Sequence, residues 1–246
     1  MAAADCCGSY CVCSFSRITP RMNPADITVV IPALNEQQAI RRSVQSAVSA
    51  GATEVLVSDG ESRDHTVEWA AEAGASSVVR SLPGRGRQMN AAAQLASGKF
   101  ILFLHADNEL SKQALEQICV QEDAAWGAFQ QQIDSHRKIY RLIEWGNDLR
   151  VRWRQVPFGD QGMFVRRSLF EELGGFAEMP LMEDVELSHR LRKIEAPVLL
   201  EGPVQVSARR WEKKGVVRQT VTNWMIQLAY CRGVSVEQLA QKYYGN

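Results

Sequence analysis

The sequence has no long apolar run. Its longest uninterrupted stretch beyond the first residues is Phe100–Leu104, far short of the ~20 residues that cross a bilayer as a helix. A helical membrane-spanning protein is therefore not expected. Charge of one sign is not in excess either: 28 Lys and Arg face 28 Asp and Glu, a formal net charge of +0. Dedicated nucleic-acid binders usually carry a basic surplus, so no nucleic-acid partner is expected. A disulfide framework is also absent. Of six cysteines, Cys6, Cys7, Cys11 and Cys13 crowd the N-terminus, and Cys119 and Cys231 stand alone. No second ligand pair at finger-like spacing accompanies the N-terminal group. That stretch also lacks the basic start and apolar core of a secretory signal. Residues 1–22 are read as a disordered, cysteine-rich extension, and the chain is expected in the reducing cytoplasm.

At 246 residues with 46% hydrophobic and 23% charged residues, the remainder has the composition of a globular domain. Its first half alternates between two periodicities. Ile27–Ile31, Glu54–Ser58, Ser77–Arg80 and Phe100–Leu104 read as strands rich in β-branched or aromatic residues. Pro32 is expected to end the first, and Asn35 to cap a helix over Glu36–Ala50. Further helices are expected over Asp64–Ala73 and Gln88–Ala96, with Pro83–Arg87 as a loop. Four strands alternating with three helices predict an α/β fold with a Rossmann-like, mostly parallel sheet and helices on both faces.

The second half is less regular. Trp126–Ile133, Met163–Val165 and Val204–Val206 are expected strands, and two helices close the chain. One of these carries Val217, Val221, Trp224 and Leu228 on one stripe. The Arg137–Trp153 helix sets Ile139, Leu142, Ile143, Leu149 and Trp153 along one side, with five basic residues against Glu144 and Asp148. Two readings fit such a helix: the stripe packs on the core, which is favoured, or it touches an anionic membrane surface peripherally.

Ligands of open parallel sheets bind beyond the carboxyl ends of the strands. Here those ends carry Asn35-Glu36, Asp59 and His105-Ala106-Asp107, and chain direction puts all of them on one edge. Gly84-Arg85-Gly86-Arg87 precedes a helix. Glycine admits an anion close to backbone N–H groups, a helix N-terminus favours negative charge, and arginine forks match phosphate oxygens. A phosphate-bearing ligand suits this loop, although a solvated basic loop has the same composition.

Four segments in order carry a resemblance: Val29–Glu36; Val57–Ser62; Asn90, with Gly98 eight positions later, running into Ile101–Asp107; and Gly174-Gly175-Phe176 followed by Met182–Leu187. Over about residues 27–192 the chain resembles a family 2 glycosyltransferase of the GT-A fold. More narrowly, Pro83–Asn90, His105-Ala106-Asp107 and Ser207–Lys213 resemble the subgroup associated with arsenosugar biosynthesis.

The resemblance implies a catalytic domain over 23–206, a C-terminal helical segment over 207–246, and a nucleotide-diphosphate sugar donor. Pro32, Asn35, Glu36, Asp59, Arg85, Arg87, Asp107, Arg210 and Trp211 would contact that donor. Asp107 would ligate Mg²⁺ or Mn²⁺ on the diphosphate, a hard cation with oxygen ligands. The family usually has Asp where His105 stands, which leaves the role of His105 open. Asp184 would be the general base toward a hydroxyl acceptor, small or lipid-linked, with Asp160 as a second candidate. Asp160, Gln161 and Glu183 would shape the acceptor side. Gln205 stands too far from Arg210-Trp211 for the pattern of processive relatives, so a single inverting transfer is expected. Two alternatives share such a sheet: a sugar nucleotidyltransferase, which would want its glycine-rich loop directly after the first strand, and a non-catalytic nucleotide-sugar-binding module. The oligomeric state is left open.

Overall fold

The structure is a computed structural model that describes residues 22–244, apart from the side chain of Arg210. The expected extension lies outside the described residues save for Met22, which is buried in the core and so belongs to the domain. Strands β1 (Ile27–Ala33), β2 (Glu54–Asp59), β3 (Ser77–Arg80) and β4 (Phe100–Phe103) alternate with helices α1 (Ile40–Ser49), α2 (Thr66–Glu72) and α3 (Arg85–Ala93). Then follow β5 (Asn108–Leu110), α4 (Ala114–Val120), β6 (Trp126–Ile133), α5 (Lys138–Arg154), β7 (Met163–Arg166), α6 (Arg167–Glu172), α7 (Glu183–Leu191) and β8 (Val198–Val206). Helices α8 (Arg209–Lys214), α9 (Val216–Cys231) and α10 (Val236–Tyr244) complete the described chain.

The eight strands form one sheet in the order β3-β2-β1-β4-β7-β6-β8-β5. Its first half is parallel, as expected from the alternation. Its second half is mixed: β7 runs antiparallel to β4 and β6, and β5 antiparallel to β8, while β6 and β8 are parallel. Strand alternation divides the core between the two faces. Ile27, Val29 and Ile31 join α1, α2, α4 and Tyr140 of α5 on one face. Val30, Ile101 and Phe103 join α3, Phe170 and Leu187 on the other. A third, smaller cluster binds Met182 and Val185 to Ile226 of α9 and Leu239 of α10. It seats the terminal helices against the start of α7.

Several local expectations are corrected. Pro32 does not end β1, which runs on to Ala33 in register with Ser58 and Asp59. Pairing with β4 has already ceased at Val30, so a residue without an N–H is tolerated at this one-sided stretch. Asn35 is not a helix cap. It adopts φ 55 and its side chain accepts from the Arg63 N–H, while α1 starts later, after Ala39. Helix α3 starts earlier than expected, so Arg85 and Arg87 lie in its first turn rather than in a loop. The short elements β5, α4, α6 and α8 have too few residues for a periodic signal. The stripe of α9 is not core-facing, and that of α5 is so only in part. Val217, Val221, Trp224 and Leu228 are exposed, as are Ile139, Leu142 and Trp153, whereas Ile143 packs against the core beside buried Tyr140 and Val151.

Candidate active site

The carboxyl ends of β1 and β4 open into a cleft with two lobes. One lobe, about 630 Å³, is lined by Pro32, Ala33, Glu36, Gly84, Arg87 and Gln88. The other, about 150 Å³, is lined by Phe158, Asp160, Met182, Asp184, Trp211 and residues of α9 and α10. Arg85, His105 and Asp107 line both lobes. The first lobe is therefore built from the sheet edge and the α3 N-terminus, the second from the α7 N-terminus and the C-terminal helices.

Local conformation aims these groups. Gly84 caps α3 at φ 135, a region closed to most side chains. It delivers the α3 N-terminus, with its unpaired N–H groups and positive dipole end, to the cleft. Buried Gln88 donates through Nε2 to the carbonyls of Ala33 (2.7 Å) and Ser58 (2.9 Å), tying α3 to the ends of β1 and β2. Met182 adopts φ 70 just before α7, an uncommon conformation for a non-glycine residue. Glu183 and Asp184 then open the helix.

Asp184 is held from two sides. Its Oδ2 accepts from the Gly159 N–H at 2.6 Å and its Oδ1 from the Val185 N–H at 2.8 Å. A Cβ placed on Gly159 would lie 2.9 Å from His105 Nε2 and 3.2 Å from Asp184 Oδ2. Residues distant in sequence thus meet around one glycine backbone. The turn that carries Gly159 is strapped by Arg150, which donates to Val156 O and Gln161 Oε1 and lies 3.3 Å above the Phe158 ring. Burial lowers the Arg150 pKa to about 10, against the pull of Asp160 and Asp184.

Arg85 and Glu183 form the main ion pair of the cleft, at 3.2 Å, with side chains 32% and 2% exposed. Burial pushes the Glu183 carboxyl up, Arg85 draws it down, and neighbouring Asp184 adds to the rise. Burial also opposes the Arg85 charge, but Glu183, then Tyr244 and Asp184, hold its pKa above the usual guanidinium value.

The remaining expected site residues divide. Pro32, Glu36, Arg87, Asp107, Asp160 and Trp211 line the cleft. Glu36 pairs with Arg209 and Arg87 with Glu178. Asn35, Asp59, Gln161 and Glu183 do not line either lobe. Asp59 is buried and accepts from the Ser62 N–H, and Gln161 is buried beneath its turn. The side chain of Arg210 lies outside the described residues. Sequence reasoning missed Gln88, Asn108, Arg150, Gly159 and the α9–α10 wall. Asn108 donates to the Asp160 carbonyl. Gln88 sat inside the Pro83–Asn90 motif and Gly159 next to the expected acceptor-side pair Asp160-Gln161.

Among the described residues, no three His, Cys, Asp or Glu side chains gather as a metal-binding group. Asp107 offers one carboxylate at the junction of the lobes. That suits a cation of the Mg²⁺ type, which takes one or two carboxylates and completes its shell with ligand phosphates and water.

Solved structures share this fold. S. aureus TarS residues 1–349, in complex with UDP, aligns with a TM-score of 0.61 at 17% identity, over 74% of this chain and 60% of that one. Glucosyl-3-phosphoglycerate synthase from Mycobacterium tuberculosis, in complex with Mg²⁺ and UDP, aligns at 0.51 with 20% identity, over 74% and 68%. Among curated proteins, the UDP-forming cellulose synthase catalytic subunit of Xanthomonas axonopodis pv. citri is 24% identical over 200 residues, 68% of this chain and 26% of that protein. An uncharacterized glycosyltransferase of Rickettsia bellii is 37% identical over 92 residues, 37% of this chain and 31% of that protein. The chain thus spans about a quarter to a third of the length of these curated relatives. The profile of glycosyl transferase family 2 matches residues 28–174, across the strands that carry the first lobe and His105–Asp107, and by that match the chain belongs to this family.

Proposed function

We propose that this protein transfers one sugar, with inversion, from a nucleotide-diphosphate sugar to a hydroxyl acceptor, small or lipid-linked. The observation that carries the reading is the meeting of His105, Asp184 and Gly159 where the two lobes join. A donor in the larger lobe would place its diphosphate by Arg85, Arg87 and the α3 N-terminus. An acceptor in the smaller lobe would present its hydroxyl to Asp184. Asp184 removes the proton as the acceptor oxygen attacks the anomeric carbon. The bond from that carbon to the diphosphate oxygen breaks, and its electron pair leaves with the diphosphate. Asp107 would hold Mg²⁺ or Mn²⁺, which offsets the charge growing on the leaving group.

Residues 23–206 form the catalytic unit in this reading, with 207–246 closing the acceptor side. The motifs around Pro83–Asn90, His105 and Ser207–Lys213 support a place in the arsenosugar-associated subgroup. A cytoplasmic enzyme in peripheral contact with a membrane fits the outward stripes of α5 and α9. A pure binding module would have no work for Asp184.

The test has two parts. Thermal-shift measurements with nucleoside diphosphates, with and without Mn²⁺, identify the nucleotide, because a ligand selective for the folded state stabilises it. Asp184→Asn should then keep that response while nucleotide release from the matching sugar donor falls ~10²–10⁴-fold. Turnover equal to that of the unmutated protein would place the base elsewhere.

A further inference from the structure

Beside the acceptor lobe lies a second groove of about 620 Å³ that the transfer reaction described above does not use. It shares Phe158, Met182, Val185 and Gln227 with the acceptor lobe, so one molecule can occupy both. Arg150, Arg154, His189, Arg192 and Lys193 line it, and no Asp or Glu does. In a chain whose charges balance overall, that is a local segregation of positive charge. Among the described residues none of Arg150, Arg154, Arg192 and Lys193 forms an ion pair. Arg192 is steadied by donating to the Arg154 carbonyl at 3.0 Å. The His189 pKa is lowered by burial first, then by Arg192 and Lys193 against the pull of Glu186. Several guanidinium and ammonium groups around one hollow match a phosphate.

The groove opens between two outward apolar faces. On α5, Leu142, Trp145 and Trp153 are 64%, 62% and 80% exposed, and Trp153 forms one wall of the groove. On α9, Trp224 is 66% exposed within the stripe Val217, Val221, Trp224 and Leu228, and Tyr230 and Cys231 of its last turn line the groove. Lys138, Arg152 and Arg154 of α5 are exposed as well. Apolar helix faces with tryptophan, edged by basic residues and turned to solvent, are the pattern of helices that lie in an anionic lipid interface.

We propose that the groove receives the phosphate of a lipid acceptor held in an anionic bilayer, with the outer faces of α5 and α9 resting on that bilayer. The proposal rests on the transferase reading and names its acceptor class. The hydroxyl to be glycosylated reaches Asp184 past Phe158 and Met182, while the phosphate stays among Arg154, Arg192 and Lys193.

The test is co-sedimentation of the full chain with phosphatidylcholine vesicles, and with the same vesicles doped with phosphatidic acid. The unmutated protein should sediment only with the doped vesicles. R192A/K193A alters two exposed side chains and should weaken that binding about 30-fold, from about fivefold per basic residue at a lipid surface. W145S/W153S should abolish it. The thermal response to the nucleoside diphosphate that the screen identifies should survive in both variants. Equal binding to neutral vesicles, no binding to either, or binding indifferent to R192A/K193A would overturn the proposal. Stabilisation by glycerol 3-phosphate through Arg192 and Lys193, without vesicle binding, would overturn the lipid assignment in favour of a soluble phosphorylated acceptor. An intact nucleoside diphosphate response beside failed vesicle binding removes this inference alone, whereas the absence of a response to every nucleoside diphosphate in the unmutated protein removes the reading beneath it.

Discussion

Gly159→Ala is the smallest change that tests the convergence at the cleft. The new methyl would sit 2.9 Å from His105 Nε2 and 3.2 Å from Asp184 Oδ2, where ordinary contact begins at 3.4 Å. The His105 ring must therefore yield by about half an ångström and the Asp184 carboxylate by a few tenths. Asp184 is restrained by the Gly159 and Val185 N–H groups, so the displacement is transmitted along the turn that Arg150 holds. Misplacement of a reacting group by ~1 Å costs ~10²-fold, and a shift of half that size should lower kcat by about tenfold. Overpacking at the same position should cost ~1–3 kcal/mol of stability. The assay is nucleotide release from the sugar donor at saturating donor, with thermal melting alongside. Gly146→Ala serves as the control, because nothing lies within 4 Å of the added carbon and the residue is within α5. It should keep full activity and gain ~0.5–1 kcal/mol from helix propensity. If Gly159→Ala matches the control in kcat, His105 and Asp184 do not act at one point and the assignment of the cleft fails.

Asp107→Ala should remove the Mn²⁺-dependent part of nucleoside diphosphate affinity, measured by calorimetry with and without the metal; an unchanged metal dependence would exclude Asp107 as a ligand. Arg85→Ala should destabilise by ~3–5 kcal/mol, since it strands a buried carboxylate. The Glu183 carboxyl is raised in the folded state, so the fold binds more protons than the unfolded chain above the ordinary value of 4.5. Stability of Arg85→Ala should therefore rise as pH falls from 7 toward 5; a melting temperature that drops over that window would reverse the sign of the argument. Gln88→Ala removes the buried side-chain donor of the Ala33 and Ser58 carbonyls, of which Ala33 keeps the Gly60 N–H. It should cost ~1–3 kcal/mol in denaturant melts and weaken donor affinity through the loosened α3 N-terminus.

Side-chain periodicity and punctuation determined much of this protein without any coordinates. The β-branched runs at Ile27, Glu54 and Ser77, each followed by a helical stretch, and the apolar run at Phe100 specify the parallel half of the sheet. Chain direction then puts Glu36 and Asp107 at one edge, and the Gly84-Arg85 pair is legible as the entry of a helix facing an anion. What periodicity does not carry is the pairing of elements far apart in sequence. The antiparallel insertion of β7 between β4 and β6 was decided by tertiary contacts, as was the arrival of the Phe158–Gln161 turn beneath His105. The same holds for the facing of α5 and α9. Their apolar stripes look like core seams, because a stripe records only that one side of a helix differs from the other. Which side turns inward depends on what else the sheet has already covered. Here Tyr140 and Val151, with Ile143, filled the inner face of α5, and Ile139, Leu142 and Trp153 were left toward solvent.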